Sequence, residues 1–341
     1  VMEEEALRGF INHAETAVEE MVNGYLRVYP GRFVKVKGKN QRLNGFIRQN
    51  CGKKVSVITG GGAGNEPWSV GFVGDGLADG TVMGAVFTAP PARFIVNVTQ
   101  ALPTERGALY ICTNHAGDVL NYELAGELAQ LENIETRCIK VSDDISGLMG
   151  ERKDERRGQA GVAFVIKIAG AASEAGYSLA ETARVAQKAN ERVTTFGAVV
   201  SSGYIPGSGE LVHRMQEGQV EYGKGFNGEN GVLVEQNRSA DEIVDTMMSY
   251  LLREAKLTSL DEVAVLINAY GMTSTMEQCI IARKTVDILS SQSVQIHHII
   301  MDRLFQPLSG GCSISILRLD EELKRLYDMP ASSPMIKCWQ N

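Results

Sequence analysis

Through the first half of the chain, short apolar β-branched runs alternate with stretches whose apolar residues recur at helical spacing. VSVITGG, ALYICTN and ETRCIKVSD have strand character, whereas NYELAGELAQL and the long RRGQAGVAFVIKIAGAASEAGYSLAETARVAQKANERV have helical character. This alternation predicts an α/β domain with a largely parallel sheet. ALYICTNHAGD followed by VLNYELAGELAQLENI is the clearest unit: an apolar strand, a polar turn and a helix. Ligands of such sheets sit at the carboxyl ends of strands, which favours Thr113, Asn114, His115 and Asp118.

After about residue 195 the rhythm restarts with TTFGAVVSSGYIPG, VEYGKGFNGENG, SADEIVDTMMSYLLREA, DEVAVLINAYG, TMEQCIIARKTVDILSS, VQIHHIIMDRL and CSISILRL. VAVLINAYG into TSTMEQCIIARKTVDIL predicts a further strand, turn and helix, with Ser274 or Thr275 as the N-cap. The expected fold is therefore α/β, with two α/β domains, each built on a largely parallel or mixed sheet flanked by helices. The expected domains are residues 1–195 and 196–341.

The 341 residues are 44% hydrophobic and 22% charged, the balance of a folded globular protein. A net charge of −7 and the lack of a long Lys/Arg block argue against binding to nucleic acid or an anionic membrane. The six cysteines form no CxxC pair and no Cys/His metal spacing, so reduced thiols and no bound metal are expected. The N-terminal stretch VMEEEALRGFINHAETAVEEM is acidic and amphipathic, without the basic-then-apolar order of a signal peptide. No run reaches the roughly 20 apolar residues of a membrane span. A cytoplasmic protein is the expectation.

Candidate chemistry gathers at the loops. GGGAGNEP, residues 60–67, follows the VSVIT strand, and its glycines would let backbone N–H groups approach an oxyanion or a hydroxylated ligand. It is neither a Walker A loop nor GxGxxG, because no GK[ST] follows and Asn65 stands where the third glycine should be. A tight structural turn fits it equally well, and Pro67 argues for a rigid loop. Asp118 reads as a helix N-cap or as a functional carboxylate at a strand end, with His115 beside it. His297 and His298 are neighbours in a strand pattern and face opposite sides, which argues against a shared metal. His13 and His213 have no partner visible in the sequence.

Taken together, GGGAGNEP, GFVGDGLADGTVMGAVFTAPP, NHAGDVLNYELA, VSDDIS, RRGQAGVAFVIKIAGAASEAGYSL and VEYGKGFNGENG match a known pattern in order and spacing. Through them the chain resembles the substrate-binding K subunit of dihydroxyacetone kinases over roughly residues 10 to 335. The resemblance implies a homodimer whose substrate lies in a pocket of the first domain, reached by a loop of the second. It also implies a separate nucleotide-binding L-type subunit, or a fused domain, that brings ATP or ADP-Mg. No cofactor is expected on this chain itself.

Family chemistry, as the resemblance implies it, uses a histidine of an HGEPG loop that adds covalently to a ketone. Here the loop reads NGENG, with Asn227 in place of the nucleophile. Asn65 replaces the histidine of a GGGSGHEP loop, and Thr113 replaces the lysine of KNYTGD; Asp118, Gly61 and Gly62 are retained. A carboxamide nitrogen is conjugated and neither attacks a carbonyl nor accepts a proton near neutral pH, but Asn still donates and accepts hydrogen bonds. Two functions follow as expectations. One is the sugar-binding subunit of a kinase for a small ketose or polyol, with Asp118 as base, His115 as accessory base, and Gly61, Gly62, Asn65, Thr113, Asp118 and Asn227 holding substrate. The other is a non-catalytic ligand sensor that binds a transcription regulator or a kinase partner.

Overall fold

A computed structural model describes residues 9–146, 152–206, 209–236 and 238–339. After helix α1 (Ala17–Val28), the first sheet is built from β1 (Phe33–Lys37), β2 (Leu43–Arg48), β3 (Ser56–Ala63), β4 (Gly80–Val86), β5 (Ala108–Thr113) and β6 (Thr136–Val141). Helix α2 (Ala92–Gln100) joins β4 to β5, and α3 (Ala116–Leu131) joins β5 to β6. The strand order is β1-β2-β4-β3-β5-β6. β4, β3, β5 and β6 run parallel, and β1 and β2 form an antiparallel edge. The strand, turn and helix read in ALYICTNHAGDVLNYELAGELAQL is β5 into α3.

Two helices, α4 (Val162–Glu174) and α5 (Leu179–Arg192), lead to the second sheet. It comprises β7 (Val193–Ser201), β8 (Gln219–Tyr222), β9 (Leu233–Gln236), β10 (Glu262–Ala269), β11 (Gln295–Asp302) and β12 (Gly310–Leu319), with α6 (Ala240–Ala255) and α7 (Thr275–Ser291) packed on it and α8 (Glu321–Tyr327) following β12. Its order is β11-β10-β12-β7-β8-β9, with β10 and β11 parallel and every other pairing antiparallel. The architecture is thus α/β with one largely parallel and one mixed sheet. Ser274 is the N-cap of α7 and forms a capping box with Glu277.

The sequence of α4, VAFVIKIAGAASE, is apolar on nearly every side, Lys167 being the one charge before its last residue, and such a helix must be enclosed. Val162 to Ser173 are all buried. One continuous core joins α4 to β3, β5 and β6 of the first sheet and to Ala264, Leu266 and Leu317 of the second. The end of the chain turns back to the first half: Lys167 of α4 donates to Leu326 O at 2.7 Å, and Asp75 pairs with Ser332. The expected boundary at residues 195–196 falls inside β7. Among the described residues, no helix is long and apolar enough to cross a membrane.

Candidate functional site

The carboxyl ends of β3, β4 and β5 open toward a loop that follows β8, and the candidate site lies between them. GGGAGNEP departs from its expected form here: Gly60, Gly61 and Gly62 are not a turn but the last part of β3. Parallel pairing of β3 with β4 continues to Ala63 through an irregularity between Gly61 and Ala63. Gly62 makes this possible, since a Cβ there would lie 2.6 Å from Thr88 N. The β3 backbone therefore passes directly against the segment that follows β4, and that segment carries Phe87 to the site. Phe87 has φ of 52°, a left-handed conformation rare for an aromatic residue.

Beyond β3, Asn65 is buried, and its backbone oxygen accepts from Trp68 N at 3.2 Å and Gln306 N at 3.1 Å. The second bond ties the β3 loop to the segment between β11 and β12. Asn268 holds that segment, accepting from Leu304 N and Phe305 N, each at 3.0 Å. Phe305 then stacks on Trp68 with ring centroids 5.3 Å apart and packs against Phe226 at 4.5 Å. Phe226 in turn meets the edge of His115 at 4.9 Å. Both halves of the chain thus build one aromatic wall.

Asp118 is not the N-cap of α3. That position belongs to His115, whose side chain makes no capping bond, and Asp118 lies in the first turn. Its Oδ2 accepts from Thr113 Oγ1 at 3.1 Å, whereas its Oδ1 is buried without a protein donor. Burial pushes the Asp118 carboxyl up to about 6, against the opposing pull of His115 and the Thr113 hydroxyl. A carboxylate poised in this range can both accept and release a proton near neutral pH.

Opposite α3, Asn227 stands at the exposed rim, and its N–H donates to Glu229 Oε2 at 3.1 Å. Glu229 Oε1 lies 3.5 Å from His115 Nε2, an ion-pair contact that is long for a hydrogen bond. Although burial opposes it, contact with His115 and the charge of Arg157 hold the Glu229 carboxyl down at about 2. Arg157 also donates to Gly223 O at 2.8 Å and pairs with Asp144 at 2.9 Å, anchoring the loop after β8.

These groups enclose a cavity of about 130 Å³ lined by Gly62, Asn65, Thr113, His115, Asp118 and Asn227 with Trp68, Phe87 and Phe226. Gly61 lies just behind it, where a Cβ would be 3.7 Å from Asp118 Oδ1. Drug-sized ligands occupy roughly 300 to 1,000 Å³, so this volume suits a small metabolite. A wider cleft of about 520 Å³ runs past Glu15, Arg42, Phe94 and Ile205, but among the described residues no buried polar atom lacking a protein partner lines it. The small cavity has several: Asn65 Oδ1, Asp118 Oδ1 and the ring nitrogens of His115. Among the described residues, no group of three or more His, Cys, Asp or Glu is arranged to hold a metal.

Residues 23–335 match the Dak1 domain. The chain belongs to the Dak1 domain family. This Dak1 chain is 36% identical over 332 residues to PTS-dependent dihydroxyacetone kinase 2, dihydroxyacetone-binding subunit DhaK, of Listeria innocua, covering 97% of this chain and 99% of that protein. It superposes on the dihydroxyacetone kinase of C. freundii with a TM-score of 0.87 and 31% identity, over 96% of this chain and 60% of that one. The dihydroxyacetone kinase operon co-activator Dha-DhaQ shares the fold at 24% identity, with a TM-score of 0.86 over 94% of this chain and 98% of that one.

Sequence reading of this Dak1 domain missed Trp68, Phe87, Phe226 and Glu229. Phe226 and Glu229 flank Asn227 in GFNGENG, and an aromatic residue among glycines in a polar loop was the available signal. For Trp68 and Phe87 there was none, because their neighbours at the site come from other strands.

Proposed function

We propose that this Dak1 chain is the sugar-binding subunit of a kinase that phosphorylates a small, dihydroxyacetone-like ketose or polyol held without a covalent bond. One observation carries the reading: two buried oxygens, Asn65 Oδ1 and Asp118 Oδ1, line a small cavity with no protein donor to either. Leaving a buried acceptor unmade costs about 1–3 kcal/mol, so the site is complementary to a ligand rich in hydroxyl donors. Asp118 accepts the proton of the reacting hydroxyl. Asn65, Thr113 and Asn227 hydrogen-bond the remaining oxygens, Gly61 and Gly62 offer backbone, and His115 is an accessory base.

ATP or ADP-Mg belongs, on this proposal, to an L-type partner subunit, and the chain acts in the cytoplasm as a homodimer. Membership of the Dak1 family and the similarity to a dihydroxyacetone-binding subunit support the assignment. A second reading, a ligand sensor bound to a transcription regulator, draws on the simultaneous presence of Asn65, Asn227 and Thr113 at positions where the resemblance implies two histidines and a lysine.

A thermal-shift screen with three- to five-carbon ketoses, polyols and their phosphates tests ligand binding. A true ligand at 100 times its Kd stabilises by about 2.7 kcal/mol. Turnover on adding a nucleotide-binding L-type subunit supports the kinase; binding without turnover supports the sensor. No stabilisation by any of these compounds overturns both.

A further inference from the structure

The cavity holds two groups that can take up a proton, Asp118 and His115, and they differ in how the protein commits them. Asp118 belongs wholly to the first half of the chain. His115 is shared, because its only charged neighbour within 4 Å among the described residues is Glu229, from the loop after β8. A carboxylate accepts hydrogen bonds only, so Glu229, 3.5 Å from Nε2, favours the neutral His115 tautomer that carries its proton on that nitrogen. In that tautomer Nδ1 bears the lone pair; it is buried and, like Nε2, makes no hydrogen bond within the protein, but only Nε2 has a carboxylate within 4 Å.

We propose that Glu229 positions His115 as the second base of the pocket, so that seating the 225–229 loop and arming His115 Nδ1 are one event. This rests on the reading of the pocket as a hydroxyl-rich ligand site. His115 acts on the ligand: Nδ1 accepts the proton of a ligand hydroxyl, giving an imidazolium stabilised by Glu229. Glu229 touches no ligand and acts through His115. The two asparagines cannot take a proton, so this imidazole supplies what they lack.

The loop is shaped for the contact. Glu229 folds back over its own turn, with Gly225 N donating to Glu229 O at 2.9 Å and Asn227 N donating to Oε2. A Cβ at Gly225 would lie 2.1 Å from Glu229 Oε2, so a side chain there would push the carboxylate aside. Phe226 packs T-shaped against the His115 ring. The charged groups around the pair are Asp118 on α3, Glu229 on the loop and Arg157 on the segment before α4. Arg157 neighbours Glu229 and keeps it ionised, and Asp118 adds a second negative charge beside the imidazole.

Imidazole NMR on the full chain tests the proposal, with Glu229→Gln and His115→Asn as variants and thermal melts to verify folding. In the wild type, neutral His115 is expected as the Nε2–H tautomer. In E229Q its pKa should fall by about one unit, because a neighbouring carboxylate favours the charged ring. Dihydroxyacetone and erythrulose affinity should weaken about tenfold as the wild type is acidified through the His115 pKa. That pH step should disappear in H115N and move to lower pH in E229Q. An Nδ1–H tautomer in the wild type overturns the proposal even if E229Q does not fold, and so does an unchanged His115 pKa or pH step in folded E229Q. If neither ligand binds at any pH, the sugar-binding reading fails, while the tautomer and pKa still decide whether Glu229 positions His115.

Discussion

Thr113 Oγ1 donates to Asp118 Oδ2 at 3.1 Å and leaves Asp118 Oδ1 uncommitted. The last residue of a strand thus orients a carboxylate from the first turn of the next helix, and under the proposed function the free oxygen serves the ligand. Because burial raises the Asp118 carboxyl from 3.8 to about 6, ionising it destabilises the fold. This penalty is absent below pH 4, grows between pH 4 and 6, and is constant above. Asp118→Asn should therefore stabilise the protein at pH 8 by about 2–3 kcal/mol, with no gain at pH 3.5. Urea denaturation at the two values checks this. The same variant should lose about 10²- to 10⁴-fold in partner-dependent phosphoryl transfer, the scale of a lost general base.

Dihydroxyacetone should leave the protein's intact mass unchanged. Asn227 is at the rim and Asn65 is buried, and neither carboxamide attacks a carbonyl. Mass spectrometry after incubation at neutral pH, with borohydride trapping, reads the outcome. A triose adduct mapped to either asparagine would refute this account of the pocket.

Phe87 should set the length of the ligand. Its left-handed backbone holds an aromatic side chain on the cavity, against glycines that have no Cβ to displace it. Phe87→Asn keeps the backbone conformation, which asparagine tolerates, and removes the ring. Five-carbon polyols should then gain at least about 10-fold over three-carbon ones in relative affinity. Competition binding measures the ratio, and an unchanged ratio would place Phe87 outside the selectivity of the site.

Asp79 should matter for stability rather than chemistry. It is fully buried at the start of β4, accepting from Arg48 Nε at 2.7 Å, from Lys54 Nζ at 2.6 Å and from Val57 N at 2.8 Å. Asp79→Ala removes the buried carboxylate that Arg48 and Lys54 share, leaving them Asp75 and Glu174 at the more exposed side, and should cost about 3–5 kcal/mol. Chemical denaturation measures the loss, and ligand affinity at low temperature should be retained in the folded fraction.

Local periodicity and turn chemistry carried much of the fold. The β5–α3 unit, the Ser274 N-cap and the mostly apolar α4 depend on residues close in sequence, so the chain alone specifies them. The glycine run was misread as a turn because glycine commonly marks one. Here close approach of the segment following β4 requires glycine within a strand. Asp118 was open to an N-cap reading because helix starts are uncertain by a few residues from sequence, and Asp118 lies three residues after the N-cap His115.

By itself, the sequence determined an α/β protein of two sheets, a set of polar loops, and two asparagines, Asn65 and Asn227, that cannot do the chemistry of an imidazole. Only the tertiary structure decided that Gly62, Asn65, Thr113, His115, Asp118, Phe226 and Asn227 line one cavity, since contacts between segments far apart in the chain leave no local pattern. It also decided which oxygen of Asp118 is free, how far burial raises its pKa, and that His115 faces Glu229. Those properties arise from the removal of water and the direction of side chains, which are set when the two halves of the chain pack together.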